Sequence, residues 1–167
     1  MLGIDGFEVD VADTDGNAEE FGYAGSGDNR SAFPKARVVA LAECGTHAFV
    51  AAEVGAYSVG EKTLANGLYQ RLRPEELLTA DRNFYSYDAW GLAAGSGAAL
   101  LWRAPTGLGL PIVKVLADGT YLAVLIDRRS AAPGAAPRSP RRPATVPTWP
   151  MSPRMRMTTP FGPTVMV

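Results

Sequence analysis

The stretch "LLTADRNFYS", residues 77–86, runs from an apolar segment into Asp81-Arg82 and then into an aromatic turn. Its first half reads as a short buried strand. Ser86 can cap a helix that runs through Trp90 towards Gly95. "AALLWR" (98–103) then reads as the next strand. Strand, helix and strand in that order form a crossover unit, which places helices on the face of a sheet. An acid at the tip of a buried strand is costly unless something occupies it, so Asp81 raises a chemical question as well.

Working backwards, Pro74 limits a preceding helix with Leu64, Leu68 and Leu72 as its apolar stripe. Ser58-Val59-Gly60-Glu61 has the form of a capping box for it. "ARVVALAEC" (36–44) is apolar on both parities apart from its ends, as a central strand should be. "HAFVAAEV" (47–54) follows after a short Gly-Thr, which predicts an antiparallel hairpin. Asp13 to Pro34 is polar and glycine-containing and reads as a long loop. Phe7, Val9 and Val11 alternate with Glu8 and Asp10, a strand expected to bury the Phe7 face. Downstream, "LPIVKVL" and "TYLAVLI" flank Asp118-Gly119, a strong hairpin signal. The order β-β-β-α-β-α-β plus a hairpin predicts an α/β fold, a mixed sheet with flanking helices.

The charge is divided unevenly. Residues 1–126 carry nine Lys or Arg against sixteen Asp or Glu; residues 127–167 carry seven Arg and only Asp127. That tail also holds nine of the thirteen prolines, which block helix and ladder alike. The expected organisation is therefore an ordered region 1–126 and a disordered Pro/Arg-rich tail 127–167. The tail's Arg, Pro, Ala and Gly bias also resembles GC-rich DNA read in a shifted frame. No run of about 18 apolar residues predicts a membrane span, and no basic-then-apolar leader opens the chain. Cys44 is the single cysteine, which excludes an internal disulfide. A cytoplasmic protein without a membrane partner is expected.

Two acids stand at predicted strand ends, Asp5 in "LGIDGF" and Asp81 in "LLTADRNF". If their strands are neighbours, two carboxylates converge at one sheet edge. Like charges that close raise a pKa or recruit a cation, and hard oxygen ligands favour Mg²⁺ or Mn²⁺. Such ions activate water and stabilise a leaving oxygen in phosphodiester cleavage. The alternative is that each aspartate simply caps the turn after its strand. Asp5 shares its parity with Phe7, so it points inward unless Gly6 introduces a bulge. Cys44 and His47 form a C-x-x-H pair that lacks the ligands for a closed zinc site and reads as turn structure. "GLAAGSGAAL" precedes a strand rather than opening a helix, so no nucleotide cofactor is expected. The tail's arginines could meet nucleic acid by charge alone.

Three blocks, "IDGFEVDVADTDGNAEEFG", "FPKARVVALAECGTHAFVAAEVGAYSVGEKTLANGL" and "LLTADRNFYSYDAWGLAAGSGAALLWR", resemble the nuclease domain of bacterial insertion-sequence transposases of the DDE type, insertion-sequence-four group. The resemblance covers residues 2 to about 122. It implies a ribonuclease-H-like fold, DNA (transposon ends) as partner, and DNA strand cleavage and transfer with Mg²⁺ or Mn²⁺ held by Asp, Asp and Glu. The first two family acids fall on Asp5 and Asp81, as catalytic residues and metal ligands; Arg82 follows as in the family, with a supporting or DNA-phosphate role. Asn83 replaces the usual glycine and is expected to keep its left-handed turn. Ala12 and Asp15-Gly16 replace prolines of the family's loop. The third acid, a downstream helical glutamate, has no counterpart, because no glutamate follows Glu76. The resemblance therefore implies an incomplete domain, short of the family at both ends and inactive or nearly so by itself. The competing expectation is a non-catalytic remnant that binds DNA or an intact transposase.

Overall fold

Strand β2 (Lys35–Glu43) buries Ala36, Val39, Ala40 and Leu41, residues of both parities, and has a paired strand on each side. The structure, a computed structural model, describes residues 1–127. By backbone contact the chain divides into Met1–Pro105 and a unit that starts at Thr106.

In the first unit β2 pairs antiparallel with β1 (Leu2–Asp10) on one side and β3 (Phe49–Ala56) on the other. Past β3 the chain forms helix α2, defined below, and then strand β4 (Leu77–Ala80), which lies parallel to β1. Strand β5 (Ala99–Trp102) lies parallel to β4. The sheet order is β3-β2-β1-β4-β5, a mixed sheet. Its helices are α1 (Asp15–Phe21), α2 (Glu61–Tyr69) and α3 (Tyr87–Gly95). The fold is mixed α/β, as the order of patterns predicts.

The buried side of β1 is the opposite of the expected one. Leu2 and Ile4 are buried, whereas Phe7 and Val9 are 41% and 42% exposed. The reason lies in where α2 packs. Gly55 pairs with Arg37, which pairs with Glu8, and a Cβ on Gly55 would stand 3.0 Å from Leu64 of α2. The helix therefore covers the face of Leu2, Ile4, Gly6 and Glu8. Pairing between β1 and β2 runs unbroken from Leu2 to Asp10, so Gly6 makes no bulge. Asp5 shares the face of Phe7, as its parity predicts, and that face is the open one.

The long loop expected between Asp13 and Pro34 contains α1. This helix buries no residue and has no apolar stripe, so periodicity could not reveal it. Its caps hold it: Thr14 Oγ1 accepts from the Asn17 N–H at 3.3 Å, and Gly22 ends it at φ +71°. The capping box at Ser58 is also absent. Gly60 is the N-cap of α2 and Glu61 its first residue, which leaves the Glu61 carboxylate for other partners. Ser86 caps α3 as expected, accepting from the Ala89 N–H at 3.0 Å.

The core under α2 and α3 contains Leu68, Tyr69, Leu78, Trp90, Leu100 and Trp102. Trp102 is its hub, with the rings of Tyr69 and Trp90 each 5.6 Å away and Tyr85 edge-on at 6.4 Å.

In the second unit, β6 (Ile112–Val115) and β7 (Tyr121–Ala123) form the expected antiparallel hairpin, with Gly119 at φ +87° in its turn. Asp118 Oδ1 accepts from the Thr120 hydroxyl at 2.6 Å and N–H at 3.0 Å, which hold its carboxyl below the usual range. The expected disordered tail, residues 127–167, lies beyond Asp127 outside the described residues. Among the described residues no helix is long and apolar enough to cross a membrane.

Candidate functional site

Strands β1 and β4 pair in parallel as Leu2 with Leu78 and Gly3 with Thr79. The observed pairing ends at Gly3 with Thr79, and Asp5 and Asp81 each lie two residues beyond it in the same direction. The sequence places these acids 76 residues apart; the parallel crossover puts both past the same end of the paired segment.

The backbone at Asp81 is pinned from β5. Trp102 Nε1 donates to the Asp81 carbonyl oxygen at 2.9 Å, and the Arg103 N–H donates to the Ala80 carbonyl at 2.9 Å. Both aspartates are exposed, and each spends one oxygen on a local turn. Asp81 Oδ1 accepts from the Asn83 N–H, and Asp5 Oδ1 accepts from the Gly6 N–H at 2.8 Å. The turn-capping role is therefore present, and it leaves the second oxygen of each carboxylate outside those bonds.

Asn83 does not keep a left-handed turn. Among the described residues His47 is the non-glycine residue with positive φ. Asn83 instead uses its side chain, donating through Nδ2 to Glu61 Oε2 at 2.6 Å. Glu61 also lies directly over Gly6, where a Cβ would meet its Oε1 at 2.7 Å. Next to it, Lys62 Nζ donates to the Tyr85 carbonyl at 3.1 Å. The start of α2 is thus tied to the turn that follows Asp81. Sequence reading missed this, because Glu61 had been allotted to a helix cap.

An open cleft of about 410 Å³ is lined by Arg37, Gly60, Glu61, Lys62 and Asn83. Arg37 is fixed in it: Nη2 pairs with Glu8 at 2.8 Å, Nη1 donates to the Val59 carbonyl at 3.0 Å, and the guanidinium lies over Tyr57. Arg82, following Asp81, is exposed.

Cys44 and His47 lie in the turn between β2 and β3, as their spacing predicts. Glu43 organises that turn: its Oε2 accepts from the N–H groups of Gly45 and Thr46 and from the Thr46 hydroxyl. These bonds hold the Glu43 carboxyl below its usual value. Among the described residues, no three His, Cys, Asp or Glu side chains gather closely enough to hold one ion. No protein-family model, curated protein or solved structure matches this chain.

Proposed function

We propose that residues 1–126 are a partial catalytic domain of a DDE-type DNA transposase, ribonuclease-H-like in fold, acting on DNA in the cytoplasm. The observation that supports this reading is the parallel β1–β4 pairing, with Asp5 and Asp81 each two residues past its last pair. The mixed sheet with flanking helices agrees with it. The two exposed carboxylates are hard donors and fit Mg²⁺ or Mn²⁺ as two of its ligands. Such an ion, when bound, activates water and stabilises the leaving oxygen of a phosphodiester. The chain's own groups then supply position: the Gly6 and Asn83 N–H groups orient the two carboxylates, and Trp102 fixes the Asp81 backbone. On this reading Arg82, exposed beside Asp81, would meet a DNA phosphate.

The third carboxylate of such a site is not supplied. No glutamate follows Glu76, and no third acid joins the pair among the described residues. The chain alone is therefore inactive or nearly so. The same observation favours the second reading, a non-catalytic remnant that binds DNA or an intact transposase. Nicking of supercoiled DNA with Mg²⁺ or Mn²⁺ tests the first: little or no cutting is expected, and robust cutting lost in Asp81→Ala would overturn the inactive reading. Pull-down of an intact transposase of the group tests the second.

A further inference from the structure

We propose that Glu61 is a positioning residue for the Asp5–Asp81 pair, an inference that rests on the metal-site reading above. A chain of short contacts joins the two aspartates through it. The Gly6 N–H donates to Asp5 Oδ1 at 2.8 Å. Glu61 rests on Gly6, close enough that a Cβ there would stand 2.7 Å from its Oε1. Its other oxygen accepts from Asn83 Nδ2 at 2.6 Å, a charge-assisted bond. The Asn83 N–H in turn holds Asp81 Oδ1.

Glu61 is not itself the missing ligand in this arrangement. Successive residues of a strand point to opposite faces, so Gly6 and Asp5 face opposite sides of β1. Glu61 lies on the Gly6 side, with α2, while the Asp5 side chain points to the open face. What Glu61 does is link the backbone behind one aspartate to the turn behind the other. It is well placed for that, on the first residue of a helix anchored by buried Leu68 and by Leu64 over Gly55. Lys62, bonded to the Tyr85 carbonyl, holds the same helix end to the same turn. Groups that orient metal ligands commonly change affinity by about 10–100-fold when removed.

Mn²⁺ affinity of the full chain, read from the free-ion paramagnetic resonance signal, tests this together with the thermal melt of each variant. Asp81→Ala is expected to abolish binding. Glu61→Ala is expected to weaken it about 10-fold. Glu61→Gln keeps an oxygen that accepts from Asn83 and is expected to restore affinity to within about two-fold of the parent. Gly6→Ala keeps Glu61 but pushes its carboxylate away, and is expected to weaken binding as Glu61→Ala does. If the parent chain binds no Mn²⁺, or Asp81→Ala binds as well as the parent, the metal reading and this inference fall together. If Asp81→Ala loses binding and Glu61→Ala does not, the inference alone falls. Glu61→Gln as weak as Glu61→Ala would overturn positioning in favour of a direct role for the charge. Should Glu61→Ala not fold, the Gln and Gly6→Ala variants decide.

Discussion

Trp102 Nε1 donates to the Asp81 carbonyl oxygen, so the last residue of β5 fixes the point at which the chain leaves β4. Trp102 is 4% exposed, and its ring is packed by Tyr69, Trp90 and Tyr85. Trp102→Phe removes the donor and part of the ring from a filled site. It is expected to cost about 2–3 kcal/mol in denaturant unfolding. On the metal-site reading it also lowers Mn²⁺ affinity, because the Asp81 backbone loses its anchor.

Two glycines should respond in opposite directions to alanine. Gly25 has φ +73°, and a Cβ there would stand 2.2 Å from the Asn29 carbonyl oxygen. The obstacle is backbone and cannot swing aside, so Gly25→Ala is expected to destabilise by about 2 kcal/mol or more. Gly91 lies inside α3, exposed, with open space where its Cβ would be. Gly91→Ala is expected to stabilise by about 0.5–1 kcal/mol. Paired chemical denaturation curves check both.

The turn between β2 and β3 should be acid-sensitive. The Gly45 and Thr46 N–H groups favour the charged form of Glu43 and hold its folded pKa below the unfolded value. A depressed folded pKa gives stability that is present above the unfolded value, about 4.3 for glutamate, and is lost as pH falls through the folded one. Carboxyl chemical shifts followed through acid titration should place Glu43 below the other exposed glutamates. Amide protection of residues 45–48, relative to the intrinsic exchange rate at each pH, should fall over the same range, and Glu43→Gln should remove that dependence.

What the sequence made legible follows from which signals are local. Residues 38–42, apolar on both parities, read correctly as part of a strand with two neighbours. Ser86 and Asp118-Gly119 were readable because a cap and a tight turn are set by a few adjacent residues. Phe7 and Val9 misled because alternation shows that a strand has two unlike faces, but not which face a helix covers. That choice was made by Leu64 over Gly55, far along the chain. Helix α1 was unreadable because it contributes nothing to the core. Asp5 and Asp81 could be named as candidates, yet the parallel β1–β4 pairing near them is a long-range feature that no local pattern encodes. Glu61 was hidden by a plausible local role, the capping box, which the helix start at Gly60 displaced.

The pairing of β1 with β4 is confined to Leu2–Leu78 and Gly3–Thr79, whereas β1 follows β2 along its whole length. The sheet's narrowest seam therefore passes between the two aspartates. On one side of it lies a meander of neighbouring strands, on the other the crossover of β4, α3 and β5. A local opening along that seam would part Asp5 from Asp81 while both halves stayed folded. The bond from Thr79 Oγ1 to the Leu2 carbonyl and the bridge through Glu61 cross the seam at its two sides. A partner that gripped both sides at once would hold the seam shut.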